Sequence, residues 1–246
     1  MPNRLIDINC DLGEGLNNEA ELMPLISSCN IACGAHAGDE ATMAFVVDLA
    51  EKYQVKIGAH PSFPDKANFG RKVIPMAAED LRNCLTEQIE GLMQVLKLKN
   101  LQMHHVKPHG ALYNLAAKDA KTAKIVVDVV KSFDENLILF APYCSKITEI
   151  AYKNGLKVMY EAFADRNYNA DLSLVPRTEK NAMIHNPEAM FEHIYNIMSH
   201  GKVKTCDGVE VVLKADTFCI HGDGEQVLYN LKKLHRQLNA KYIQIA

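Results

Sequence analysis

Ionisable side chains recur directly after short apolar stretches along this chain of 246 residues. The first case is "DINCDLGEG" at 7–15, which carries Asp11 and Glu14. Imidazole, ammonium and carboxylate groups occupy the equivalent places later in the chain. These later residues are His36, His60, Lys107, His109, His221 and Asp223, and the same stretches also carry Asp39, Asp65, Glu161, Asp165 and Arg166. Such groups are the ones that acid/base hydrolysis and metal binding require, so the pattern indicates a chemical site.

Three chemistries fit this set of side chains. The first is a zinc, manganese or iron site with one carboxylate and three imidazole ligands, without the fixed spacing of a motif such as H-E-x-x-H. Its candidate ligands are Asp11, His36, His60 and His109. The second is metal-free hydrolysis, in which a carboxylate or imidazole takes a proton from water and Lys107 or Arg71 stabilises developing negative charge. The third is a site that only binds an anionic small molecule.

Residues so distant in sequence meet only if the chain forms a parallel sheet. Short apolar runs alternate with longer stretches of helical spacing, which is typical of βα units. We predict strands near 4–10, 29–35, 55–59, 103–107, 137–141, 157–163 and 216–221. We predict helices near 19–28, 40–53, 77–98, 118–132, 144–154, 187–199 and 225–238. Because the carboxyl ends of parallel strands share one edge, the polar groups should meet in one mouth.

Local signals define some of these elements more closely. Asn186 before Pro187 is typical of a helix start, and Gly155 of a helix end. The pair Asp207-Gly208 lies between two valine-rich runs and predicts a β-hairpin near 202–214. No low-complexity linker divides the chain, so we expect residues 1–246 to form a single domain with this hairpin as an insertion.

Composition restricts the partners and the compartment. A net charge of -3 and a pI near 6.4 provide no general attraction to nucleic acid or anionic lipid, so we expect neither as a partner. The N-terminal residues do not resemble a signal peptide, and no apolar run is long enough for a membrane span, which predicts a cytoplasmic protein. Seven cysteines without a C-x-x-C pair are expected to be reduced and mostly buried.

Several well-known motifs are absent. The chain contains no P-loop for ATP and no G-x-S-x-G serine elbow. Gly13 and Gly15 are too few for a dinucleotide fingerprint, and we interpret them as residues of a tight turn after the first strand.

Seven segments, taken together, resemble the LamB/YcsF family over nearly the whole chain. They are "DINCDLGEG", "SSCNIACGAHAGD", "IGAHPSFPDKANFGR", "VKPHGALYN", "EAFADRNY", "LVPR" and "IHGDG". The resemblance implies an α/β fold, a TIM-like seven-stranded parallel (β/α) barrel of the glycoside hydrolase/deacetylase type.

The same resemblance implies an activity. It implies the hydrolytic subunit of 5-oxoprolinase, which opens the lactam of 5-oxo-L-proline to L-glutamate together with subunits B and C and with ATP as co-substrate. A partner-dependent activity agrees with the missing P-loop. The resemblance does not establish a divalent metal, so the metal question stays open.

The resemblance also implies roles for individual residues. The residues that it implies as catalytic are Asp11, Glu14, His36, His60, Lys107, His109 and Asp223, with Arg71 and His221 binding substrate. In our hypothesis Asp11 or an adjacent histidine activates water, and Lys107 polarises the lactam carbonyl or its phosphorylated form. Arg71 holds the substrate carboxylate, a role for which Arg166 and Arg177, both expected to be exposed, compete.

One segment departs from the family pattern. Residues 16–28, "LNNEAELMPLISS", are shorter than the corresponding stretch of many relatives and should border the mouth. Two alternative functions stay open. One is a self-sufficient metal-dependent amide hydrolase or deacetylase acting on a sugar-like substrate. The other is a non-catalytic subunit that presents substrate to a partner.

Overall fold

A computed structural model describes residues 4–224 and 226–246, in which strands alternate with helices. The strands are β1 (Arg4–Leu12), β2 (Ser28–Ala32), β3 (Lys56–His60), β4 (His105–Val106), β5 (Ile138–Pro142), β6 (Lys157–Phe163), β7 (Lys202–Lys204), β8 (Glu210–Val212), β9 (Thr217–Cys219) and β10 (Ile243–Ile245). The α-helices are α1 (Glu19–Leu22), α2 (Glu40–Tyr53), α3 (Ala78–Leu98), α4 (Gly110–Ala116), α5 (Ala120–Phe133), α6 (Lys146–Lys153), α7 (Pro187–His200) and α8 (Val227–Ala240).

Seven of the strands form a closed parallel barrel. Strands β1 to β6 and β9 pair in this order, and β9 returns to β1 with Asp7 opposite Thr217 and Asn9 opposite Cys219. Strand β10 pairs with the beginning of β1, where Arg4 lies opposite Ile243. The predicted seven-stranded (β/α) barrel is confirmed.

The helices follow the predicted order with three differences. Only α1 and a 3-10 turn, Met23–Leu25, lie within 19–28, because Pro24 has no backbone N–H and the chain enters β2 at Ser28. Helix α4 and strand β10 were not predicted. They contain seven and three residues, which is too short for a periodic pattern.

Strands β7 and β8 form an antiparallel hairpin within residues 202–214. Gly208 in its turn has φ of +80°, a conformation that glycine adopts without strain. At the other predicted signals, Asn186 caps α7 by accepting from Ala189 N, and Gly155 follows α6 with φ of +74°. Among the described residues, no helix has the length and apolar character needed to cross a membrane.

The two faces of the barrel strands differ in chemistry. Along β1, Ile6 and Ile8 belong to the buried apolar cluster that also contains the inward faces of the helices. The alternate residues on the opposite face of β1 are polar and also buried, namely Asp7, Asn9 and Asp11. The apolar core therefore lies between strands and helices, whereas the barrel interior is polar.

Hydrogen bonds join the polar side chains across the barrel interior. Asp7 accepts from the Thr217 and Ser28 hydroxyls at 2.7 and 2.9 Å. Asn9 Nδ2 donates to Thr217 Oγ1, and Asn9 Oδ1 accepts from Asn30 Nδ2, each at 2.8 Å. Pairing of these buried groups offsets the free energy lost when they leave water.

His105 fills the middle of the barrel next to a glycine. Its Nε2 donates to Asn30 Oδ1 at 2.7 Å, and its ring stacks on Phe140 with centroids 3.9 Å apart. A Cβ added at Gly58 would lie 2.2 Å from His105 Nε2. Glycine at this position is therefore what allows an imidazole to occupy the interior.

The substitution Gly58→Ala should lower the free energy of unfolding by about 1–3 kcal/mol, because the buried His105 ring has to shift. Gly91→Ala is the matched control. Gly91 lies inside helix α3, and an added Cβ there meets only Met43 Cε, at 3.8 Å. We expect the control to equal or exceed the wild type in stability. Urea unfolding measures both, and equal stability of the two variants would contradict the packing argument.

His193 supports the end of β6 from helix α7. Its Nε2 donates to Phe163 O at 3.1 Å, and its ring stacks on Tyr168. Burial lowers the pKa of His193 to about 4, although the Phe163 carbonyl and Asp165 act in the opposite direction.

This shift predicts acid-dependent stability. The unfolded chain, with a histidine pKa of about 6.5, binds the proton first, so the His193 contribution to stability is full above that pH and is lost as pH falls towards about 4. The expected slope from this residue is about 1.4 kcal/mol per pH unit. His193→Gln keeps an N–H donor but does not titrate, so its unfolding free energy should fall less steeply below about pH 6.5. Parallel slopes for both proteins in urea unfolding at acid pH would refute this.

Candidate active site

The carboxyl ends of the barrel strands open into a cavity of about 740 Å³. Asp11 on β1, His60 on β3 and Glu161 on β6 line it, together with Lys107 directly after β4. The polar residues that follow the strands in the sequence therefore share one site, as the parallel arrangement predicts.

Lys107 lies at the inner end of this cavity between two carboxylates. Its Nζ is 2.8 Å from Asp11 Oδ1 and 2.9 Å from Glu161 Oε1. Burial disfavours the Lys107 ammonium, but the carboxylates of Asp11 and Glu161 outweigh it and raise the pKa of Lys107 well above its usual value. Burial alone would raise the pKa of Asp11, but the positive charge beside it, including the Lys107 ammonium, holds it well below its usual value. The site therefore contains a fixed cation between two carboxylates.

Two further residues belong to the site: Glu161, expected at the mouth but given no role from the sequence, and Tyr113, which was not predicted. The Glu161 side chain is inaccessible, Lys107 Nζ is the ion-pair partner of its Oε1, and neither oxygen has a well-formed hydrogen bond among the described residues. Burial and the neighbouring Glu161 raise the pKa of Tyr113 well above its usual value. The alternation of inward residues along β6 would have given Glu161 a role in the site, whereas Tyr113 lies on the unpredicted helix α4.

Backbone carbonyls orient two histidines of the cavity. His60 Nδ1 donates to Lys107 O at 2.7 Å, and His109 Nε2 donates to Phe69 O at 2.9 Å. The other ring nitrogens, His60 Nε2 and His109 Nδ1, lie 2.9 Å apart. His60 Nε2 is also 3.3 Å from Asp11 Oδ2.

His36 has the same arrangement with a hydroxyl as its outer partner. Ser62 Oγ donates its single hydrogen to Phe63 O at 2.8 Å, so His36 Nδ1 must donate to Ser62 Oγ at 3.0 Å. His36 Nε2 then faces Glu14 Oε1 at 3.1 Å. The ring stacks on that of His109 with centroids 3.8 Å apart, and burial lowers the pKa of both histidines.

Two glycine-containing turns hold this histidine cluster in place. Gly13 and Gly15, with φ of +75° and +82°, flank Glu14 and form the tight turn expected after β1. Gly70 has φ of +63°, and a Cβ there would lie 2.8 Å from His109 Cδ2. The absence of a side chain at Gly70 lets the loop with Phe69 close on the His109 ring.

A trio of charged residues forms part of the cavity wall further out. Asp223 Oδ2 accepts from Arg71 Nη2 at 2.9 Å and from Arg177 Nη1 at 3.0 Å. Asp223, predicted as catalytic, thus contacts the two arginines and not the residues around Lys107. Arg166, expected to be exposed, is buried instead, because its guanidinium donates to the Val175 and Ala182 carbonyls of the loop that follows β6.

His221 lies beside Asp11 at the inner end of the cavity. Its backbone N and its Nδ1 donate to the Asp165 carboxylate at 3.0 and 2.9 Å. Burial would raise the pKa of Asp165, but the contacts with His221 lower it. A nitrogen of His221, an Asp11 oxygen and Cys219 Sγ lie within 4.8 Å of one another.

The structure therefore divides the predicted site residues into two groups. The inner group comprises Asp11, Glu14, His36, His60, Lys107, His109 and His221, and the outer group comprises Arg71 and Asp223. Cys219, close to Lys107, is not an activated thiol, because burial raises its pKa well above the usual value despite the nearby ammonium. All seven cysteines are free, and four of them are buried.

Comparisons with known proteins agree with this fold. The model of the LamB/YcsF family matches residues 6–246. A protein named as the A subunit of 5-oxoprolinase, from Histophilus somni (strain 129Pt), is 42% identical over 240 residues, which cover 98% of this chain and 97% of that protein. The crystal structure of a lactam utilization protein from Thermus thermophilus has a TM-score of 0.92 and 36% identity over 98% of both chains.

A more distant structure is similar in fold alone. A family 4 carbohydrate esterase from Streptomyces lividans, in complex with acetate, has a TM-score of 0.51 at 8% identity over 100% of this chain and 93% of that one. The family match spans nearly all of the described barrel and includes every residue of both site groups. This chain therefore belongs to the LamB/YcsF family.

Proposed function

We propose that this chain is the hydrolytic subunit of a 5-oxoprolinase and opens the lactam of 5-oxo-L-proline to L-glutamate. Full-length similarity to relatives named as the A subunit of 5-oxoprolinase carries the proposal. The word subunit in those names supports partner chains, which we propose to be subunits B and C. ATP is the proposed co-substrate, because phosphorylation of the resonance-stabilised lactam oxygen creates a better electrophile.

ATP transfers its terminal phosphoryl group to the lactam oxygen and leaves as ADP. One water adds to the lactam carbon, whose bond to nitrogen breaks as the nitrogen takes a proton, and a second water releases inorganic phosphate. Asp11 is the proposed base, because its carboxylate lines the cavity and the 2.8 Å contact with Lys107 is made by Oδ1, which leaves Oδ2 to face a water. Lys107 is the proposed electrostatic stabiliser of the lactam oxygen or its phosphorylated form, since two carboxylates already hold the ammonium in position.

Glu161 and Arg71 complete the proposed substrate contacts. The Glu161 oxygens, without well-formed hydrogen bonds among the described residues, are suited to accept the lactam N–H. Arg71 lies further out on the cavity wall, where a substrate carboxylate would replace Asp223 as its partner. The ring would then lie between an inner polar group and an outer guanidinium.

A second candidate function is amide hydrolysis that needs neither ATP nor partners. The convergence of Glu14 with three imidazoles favours it, because these residues are suited to hold a divalent metal. A metal bound there supplies an activated water or polarises a carbonyl group. Asp11 and Lys107 keep the roles proposed above in either case.

The main proposal predicts release of glutamate from 5-oxo-L-proline only when this chain, subunits B and C and ATP are combined. Glutamate is measured for this chain alone and for the complete mixture, each with and without ATP and with and without a chelator. Release by this chain alone, without ATP and sensitive to the chelator, would favour the second candidate. No release from folded, assembled subunits with ATP would refute the main proposal.

The same mixture tests the role of Lys107. We expect Lys107→Met to lower kcat by about 100-fold or more, because developing charge loses its stabilising cation. Lys107→Arg keeps the charge and serves as a second variant in case Lys107→Met fails to fold, and Lys204→Met, on the exposed hairpin, is the control. Circular dichroism checks the fold of each variant. Full activity of a folded Lys107→Met variant would favour a subunit that only presents substrate.

Arg71→Met should raise KM for 5-oxo-L-proline by about tenfold or more with a smaller change in kcat, since the lost contact holds the substrate carboxylate. Arg82→Met is the matched control. Both arginine side chains are 44% exposed, and each pairs with one aspartate, Arg71 with Asp223 and Arg82 with Asp128. Equal KM values for the two variants would exclude Arg71 as the carboxylate contact.

A further inference from the structure

We infer that Glu14, His36, His60 and His109, here called the histidine cluster, form a binding site for one divalent cation of the zinc class. The inference follows from which nitrogen of each imidazole donates its N–H to an acceptor outside the cluster. It does not depend on the proposed reaction, because the same geometry holds whatever substrate the cavity accepts.

The outer ring nitrogens account for one hydrogen on each imidazole. Lys107 O, Phe69 O and Ser62 Oγ accept these hydrogens from His60, His109 and His36. In the neutral ring the second nitrogen then carries a lone pair. All three lone pairs point into the same small volume, where Glu14 Oε1 adds a further acceptor.

These inner contacts join acceptors to acceptors. His60 Nε2 lies 2.9 Å from His109 Nδ1, and Glu14 Oε1 lies 3.1 Å from His36 Nε2. Without a positive group between them, such contacts are repulsive, and burial makes the repulsion stronger. A cation at the centre would convert all of them into favourable interactions at once.

The separations between donor atoms suit a tetrahedral ion. Zinc–nitrogen bonds of about 2.0–2.1 Å imply donor atoms about 3.3–3.4 Å apart in a tetrahedron. The separations are 2.9 Å for His60–His109, 3.1 Å for His36–Glu14, 3.4 Å for His109–Glu14 and 3.9 Å for His60–Glu14. The remaining pairs lie within 4.8 Å. Three imidazoles and one carboxylate are ligands typical of zinc and of neighbouring first-row metals.

The outer contacts have the form that metal-binding histidines show in proteins. Such histidines donate their second N–H to a carbonyl, carboxylate or other acceptor, which fixes the tautomer. Two of the three acceptors here are backbone carbonyls, and the third is a buried serine hydroxyl that donates in turn to Phe63 O. The cluster is thus organised beyond its four donor atoms.

A shared proton is the alternative to a metal. One proton on His60 Nε2 would face both His109 Nδ1 and Asp11 Oδ2 and would relieve those two contacts. It would leave the contact between His36 Nε2 and Glu14 Oε1 unrelieved unless a second proton were bound. A single divalent ion resolves both, which favours the metal.

The experiment uses the full chain, stripped of metal with a chelator and then titrated with Zn²⁺ in a calorimeter and with Co²⁺ in a spectrophotometer. We expect one equivalent of either ion to bind, with the visible absorption of a four-coordinate site for Co²⁺. A stripped wild-type chain that binds neither ion would overturn the inference in favour of the shared proton.

Variants locate the ion within the chain. Glu14→Gln and His36→Gln remove ligands, and Ser62→Ala removes only an outer acceptor, which should lower affinity by about 10- to 100-fold. His235→Gln is the matched control, because this half-buried histidine of helix α8 donates to Leu25 O and has no hydrogen bond to the four cluster residues. Stoichiometric binding that persists unchanged in both ligand variants would also overturn the inference. Circular dichroism of each metal-free variant separates loss of ligand from loss of fold.

These measurements can refute the metal site and the proposed function independently of each other. Binding needs neither subunits B and C nor ATP, so a metal-binding chain that releases no glutamate in the complete mixture would refute only the proposed function. Glutamate release by a chain that binds no metal would refute only the metal site.

Discussion

The contacts of the buried residue Lys107 position both the carboxylates and the imidazoles of the inner group. Its Nζ reaches from β4 to Asp11 on β1 and Glu161 on β6, so it ties together strands that do not neighbour each other in the barrel. Its own backbone carbonyl accepts from His60, which in turn faces His109. One residue therefore organises the carboxylates through its side chain and the imidazoles through its main chain.

This arrangement is stable because the barrel separates apolar packing from polar chemistry. The apolar cluster fills the space between the strands and the helices, and the barrel interior contains the network from Asp7 through Asn9 to Asp11. An interior of this kind needs nearly every group to be paired, since an unpaired buried charge costs several kcal/mol. Side chains at the mouth are consequently held by a continuous series of hydrogen bonds that begins deep in the barrel.

The order of the barrel elements was predictable because apolar runs alternate with long stretches of helical spacing, even where the strand itself is as short as β4, whereas the seven residues of α4 are too few to show a helical period. The site was predictable only as a set of strand ends. Asp39 and Asp65 come after β2 and β3, whereas Asp11 lies within β1, and the two later aspartates cap α2 and a 3-10 turn, a difference decided by local backbone geometry. Asp223 shares its motif with His221 but pairs with arginines, and Glu161 was given no role from the sequence because its partner Lys107 follows another strand.

The outer partners of the three imidazoles differ in how far mutation can alter them. The acceptors for His60 and His109 are main-chain oxygens, which remain whatever side chain stands at 107 or 69, provided that the loop keeps its path. Only the acceptor for His36, the Ser62 hydroxyl, is encoded by residue type. The backbone path alone therefore fixes the orientation of the His60 and His109 rings. Side chains at 107 and 69 can change during evolution without altering that orientation.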